Sequence, residues 1–116
     1  MSVANDNIIP GNPISLATSW TSEPVYVYQI VLLSIQLVFT GTPVGTFSLE
    51  CSNDEYDSKL APQNWTKIAG SAQDVTEAGD HTWNIQDAGY RWIRVVYTAD
   101  SGTGTLTVAR YNGKGI

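Results

Sequence analysis

"GYRWIRVVYTADSGTGTLTV", residues 89–108, carries the pattern that decides the fold. Within it YRWIRVVYT (90–98) sets Arg91, Ile93, Val95 and Tyr97 on one side and Tyr90, Trp92, Arg94 and Val96 on the other. That is the period of two of a β-strand, in residue types that favour strands. ADSGTG (99–104) supplies the Gly and Asp of a hairpin loop, and TLTVARY (105–111) returns with Leu106 and Val108 alternating against threonines.

The same grammar extends upstream. In LSIQLVFTG (33–41), Leu33, Ile35, Leu37 and Phe39 fall on one face and Ser34, Gln36 and Thr40 on the other. TGTPVG (40–45) reads as a tight connection, and TFSLEC (46–51) alternates again with Phe47, Leu49 and Cys51 inward. Shorter runs are ISLATSW (14–20), VYVYQIV (25–31), WTKIAG (65–70) and HTWNI (81–85). No segment sustains an apolar period of 3.6. The expectation is an all-β chain: a single antiparallel β-sandwich or jelly roll of about eight strands, with little or no helix. Residues 1–13 read as an extended N-terminal arm, either frayed or docked on a partner subunit, 14–112 as the sandwich domain and 113–116 as a C-terminal tail.

The chain has 116 residues, room for one domain, and a net charge of −5 carried by 11 acids against six Lys and Arg. Such a surface repels a phosphate backbone, so no nucleic-acid partner is expected. IVLLSIQLVF (30–39) is the longest apolar stretch and is far shorter than the roughly 20 residues a membrane helix needs, so no membrane partner is expected. The opening MSVANDNIIPGNP lacks the basic start and apolar centre of a signal peptide, which points to synthesis in a cytoplasm. One cysteine excludes an intrachain disulfide.

ECSNDEYDSKLAPQNW (50–65) gathers four carboxylates and that cysteine. Asn53, Glu55 and Asp57 have the spacing that opens a calcium loop, but Ser58 stands where the turn glycine belongs and no closing Glu follows. The stretch reads as a solvated acidic loop, with no metal or other cofactor. Cys51, inward-facing and beside carboxylates, reads as a small hydrophobe rather than a nucleophile. His81, the only histidine, reads as a surface residue near a strand end. No catalytic residues are assigned. Of Trp20, Trp65, Trp83 and Trp92, most are expected in the core, which a small sandwich fills with large side chains. Trp92, beside Tyr90 and Arg94 on one strand face, is also placed as an exposed contact would be.

SIQLVFTGTPVGTFSLECSND, NWTKIAGS and GYRWIRVVYTADSGTGTLTV together resemble small virion proteins of tailed bacteriophages, capsid-decoration or tail-associated, which are β-sandwiches. The matching positions are Thr40 to Phe47, Ser52 to Asp54, Trp65, Gly89 to Thr98 and Ser101 to Leu106. A looser resemblance, through Ser52, Asp54, Trp65 and either Arg91 or Arg94, is to discoidin-type, galactose-binding-like domains. There the insertion EYDSKLAPQ departs from the pattern. The first resemblance implies a non-enzymatic structural protein of a phage particle, located in the virion and acting as a homo-oligomer with other virion proteins. The second implies a carbohydrate-binding module for host glycans. Tyr26, Tyr28, Tyr90, Trp92 and Arg94 are the candidate interface or ligand contacts.

Overall fold

The computed structural model describes residues 3–9, 13–86 and 88–115. Its strands are β1 (Val3–Asn7), β2 (Ile14–Ser15), β3 (Trp20–Thr21), β4 (Val25–Tyr26), β5 (Ile30–Ser52), β6 (Thr66–Lys67), β7 (Gln73–Val75), β8 (Gly79–Ile85) and β9 (Trp92–Gly115). Every pairing is antiparallel, and the described residues contain no helix.

β5 and β9, of 23 and 24 residues, pair along their whole length from Ile30–Gly115 to Ser52–Trp92. Extended, such a ribbon would reach about 75 Å, yet the longest dimension of the molecule is 39 Å. It therefore folds over on itself. Leu33, Ile35, Leu37 and Phe39 before the fold, and Phe47 and Leu49 after it, are all buried on the same side of β5. A sheet with one apolar face buries that face by closing against itself, and the two halves become the layers of a sandwich.

One layer runs β1–β9–β5–β8, using residues 106–115 of β9 and 30–39 of β5. In the other, β3 and β4 flank residues 92–97 of β9, while β6 and β7 flank residues 45–51 of β5. Phe47 ties the layers together near the fold: its ring lies 5.4 Å from that of Phe39 and 4.6 Å from that of Tyr97, and both Phe47 and Tyr97 are fully buried. Trp83 reaches from β8 to donate its indole N–H to the Ser71 carbonyl at 2.9 Å.

The two segments expected as turns are paired strand instead. Residues 40–45 and 99–104 are not chain reversals; they pair with each other inside β5 and β9 and form the corner of the ribbon. Their glycines serve that corner. Gly41 and Gly102 have φ of 84° and 79°, and a side chain on Gly104 would run into Thr40 and Pro43. Asp100 is an extra residue opposite the Val44–Gly45 step, a bulge that sharpens the bend. A second bulge, at Thr107, shifts the inward alternation, so that Leu106 and Ala109 are buried and Val108 is only half-buried.

The run 25–31 is also broken. Ile30 donates to the Val27 carbonyl at 3.0 Å across a turn in which Gln29 takes φ 67°. ISLATSW is likewise two short strands separated by bends. Of the stretch read as an arm, Val3–Asn7 forms β1 along residues 110–114, and Ile8 and Ile9 lie in the core. Residues 1, 2 and 10–12 lie outside the described residues. Gly113, Lys114 and Gly115, read as tail, are the last residues of β9.

Candidate functional site

The outer face of the second layer is aromatic. Tyr26 on β4 is the direct cross-strand neighbour of Trp92 on β9, and their rings stand 4.6 Å apart. The turn after β4 lifts Tyr28 out of the strand, leaving its ring stacked 5.9 Å from Tyr26. Tyr56 comes down from the loop that follows β5, lying 5.6 Å from Tyr26 and parallel to Trp92 at 6.0 Å. Tyr26, Tyr28 and Tyr56 remain 41%, 49% and 62% exposed. Large aromatic side chains exposed together in this way make the face a candidate contact surface.

The acidic loop is folded rather than free. The Asp54 carboxylate accepts hydrogen bonds from the backbone N–H of Gln63 (2.7 Å) and Asn64 (3.0 Å) and from the Asn64 side-chain amide (3.0 Å). The Gln63 N–H first, then Asn64, holds this carboxyl below its ordinary value. The Asp54 carbonyl accepts the Trp92 indole N–H at 2.9 Å, and the Asn53 side chain accepts the Arg91 N–H at 3.2 Å. The loop is thereby stapled to β9, and Tyr56 is fixed over Trp92. Replacing Asp54 with alanine is expected to free the loop and raise quenching of Trp92 fluorescence by acrylamide, with the melting temperature little changed. Acid acts in the same direction. Because the folded-state value is depressed, the hold is complete above the ordinary value of 3.8 and is lost as pH falls below it.

Two arginines border the rings differently. The Arg91 guanidinium sits 4.9 Å from the centre of the Tyr28 ring. Arg94 lies 4.1 Å over Trp65 and is also held by Glu50, with a 2.6 Å ion pair and a 2.7 Å hydrogen bond from Nε. Its charge and its flat face are thus both engaged within the chain.

Of the five residues singled out in the sequence, Tyr26, Tyr28 and Trp92 come together. Arg94 lies beyond them on Trp65, and Tyr90 packs partly buried against the core. Tyr56 was missed. Its signal is an aromatic residue set between Glu55 and Asp57 in a polar loop, where nothing in the local sequence would bury it. Trp83 lies in the core and Trp20 packs against it, whereas Trp65 and Trp92 are half-buried on the outer face.

Other groups show no activation. Cys51 is half-buried, and burial pushes its thiol up, with Glu50 adding repulsion. His81 packs edge-on against Trp83 at 4.8 Å, and burial pushes its imidazole down against the opposing pull of Asp80. Among the described residues, no three His, Cys, Asp or Glu side chains converge on a point that could hold a metal.

These features define an antiparallel β-sandwich that presents an aromatic surface on one outer face. Among solved structures it is similar to the SPBc2 prophage-derived protein YomS, at 12% identity and a TM-score of 0.59, over 97% of this chain and 94% of that one. It is also similar to chains in structures of infectious bursal disease virus. For the Gt strain the identity is 12% and the TM-score 0.53; the match spans 97% of this chain and 31% of that one. For the Gx strain the identity is 13% and the TM-score 0.51, over 97% and 32%. At such identities the likeness is one of fold, and the present chain spans about a third of the viral chains it matches. No family model and no curated protein matches the sequence.

Proposed function

We propose that this protein is a non-enzymatic structural subunit of a phage particle, a decoration or tail-associated component that works by contact. The observation that carries the reading is the exposed cluster of Tyr26, Tyr28 and Tyr56 around Trp92, held on a rigid sheet and braced by a stapled loop. Preorganised aromatic side chains lose little freedom on binding and are the strongest anchors in protein interfaces. The shared fold with a prophage-derived protein and with chains of a virus supports the setting.

A glycan platform would need an aromatic face open to a sugar ring. Here Tyr56 lies parallel over Trp92, and Arg94 covers Trp65. The face therefore suits another protein better. The test is the protein content of particles purified from a producing lysate, measured by mass spectrometry for the natural chain and for the double variant Tyr26→Ala with Tyr56→Ala. The natural chain is expected in the particles and the variant is expected to be lost from them. A chain absent from particles, or a variant retained at the natural level, would sink the reading.

A further inference from the structure

A strand at the margin of a sheet leaves backbone N–H and C=O groups unpaired, and proteins blunt such edges by shortness, by Lys or Pro, or by bulges. β2, β3, β4, β6 and β7 are two or three residues long. β8 is blunted in none of these ways. It runs for seven residues, GDHTWNI, without Lys or Pro. It keeps register with β5 from Leu33–Ile85 to Phe39–Gly79 with no bulge. Among the described residues β5 is its one strand partner, and no other backbone group bonds to residues 79–85. Gly79, Asp80, Thr82 and Asn84 are exposed along it.

The sequence of β8 is complementary to itself when reversed. Antiparallel pairing about a two-fold axis at Thr82 engages all seven residues, whereas an axis at His81 or Trp83 leaves residues at one end unmatched. With the axis at Thr82, Asp80 of each copy faces Asn84 of the other, so an amide donor meets the one carboxylate of the strand. Thr82 faces Thr82 and His81 faces Trp83, pairs that stabilise neighbouring strands, and no like charges are opposed. From this unguarded, self-complementary edge we infer that β8 pairs with β8 of a second copy of this chain, joining the two β1–β9–β5–β8 layers into one continuous sheet. The aromatic face belongs to the other layer, so this contact leaves it free for a different virion protein.

The test uses the full chain in solution. Sedimentation velocity over a concentration series is expected to show the natural protein as a dimer. Thr82→Lys sets two ammonium groups against each other at the axis, and its dissociation constant is expected to rise at least about tenfold. Mild oxidation then reads the register. The thiols of Thr82→Cys stand directly opposite in the dimer, and this variant is expected to cross-link into covalent pairs. Those of Asn84→Cys lie about 13 Å apart along the strands, and this variant is expected to stay uncross-linked like the natural chain, which retains Cys51. All three substitutions fall at exposed positions, and circular dichroism checks that each variant is folded.

A natural chain that stays monomeric would overturn the inference, and so would closed trimers or pentamers. A dimer that tolerates Thr82→Lys, or that cross-links as readily through residue 84 as through residue 82, would overturn it too. Such failure is separable from failure of the particle reading. A monomer that still enters particles, and loses entry on substitution of Tyr26 and Tyr56, removes the β8 contact and keeps the aromatic face as an interface.

Discussion

Replacing Phe47 with alanine is expected to lower stability by about 3–5 kcal/mol, a large share of the roughly 5–15 kcal/mol that holds a domain of this size. The ring is fully buried where the two layers meet, against Phe39 on one side and Tyr97 on the other. Both neighbours belong to the same folded ribbon, so neither can move into the space without opening the corner. The cavity should therefore persist, which places the cost at the upper end of its class. Urea unfolding followed by tryptophan fluorescence checks it. A loss below about 1 kcal/mol would mean that the layers repack freely and that the corner is not rigid.

The second large effect is at Gly102. An alanine there must adopt φ near 79°, and its Cβ would collide with the Thr42 carbonyl oxygen across the ribbon. Gly70 supplies the control, since its φ is 78° and a Cβ built on it meets nothing within 4 Å. Gly70→Ala should cost about 1 kcal/mol, the conformational penalty alone. Gly102→Ala adds a backbone clash and is expected to cost roughly 2–4 kcal/mol in total. The difference between their urea midpoints isolates the close approach of the two strands at the corner. Equal losses would show that the ribbon can spread there without penalty.

The alternation of the two long strands was legible in the sequence and the corner was not, for one physical reason. Alternation reports which side of a strand is wet, and Leu33, Ile35, Leu37, Phe39, Phe47 and Leu49 did so correctly. Glycine and proline report only that the backbone departs from a straight path. At 40–45 and 99–104 that departure is a bend shared by two paired strands, and a single segment carries no sign of its partner. Val108 was misassigned because a bulge is an insertion relative to a neighbour, equally invisible locally. The aromatic surface was half legible. Tyr26 and Trp92 lie on recognisable strands, but Tyr56 joins them through a loop whose shape depends on Asp54 capturing Gln63 and Asn64, contacts that no periodicity encodes.

The distribution of partners along the sheet bears on synthesis. β1, β2, β3, β4 and β5 all pair with β9, the last strand. A ribosome making this chain would release most of the polypeptide, including the apolar run 30–39, before the strand that receives it exists. Native pairing on that side must wait for residues 92–115, across loop closures of about 40 to 110 residues that slow folding. In the interval β5 can pair only with β6, β7 and β8, leaving one long edge open to neighbouring nascent chains. For a protein made in quantity, production would then be governed by how quickly the final strand closes that edge, and lowering the rate of synthesis or the temperature should raise the soluble yield.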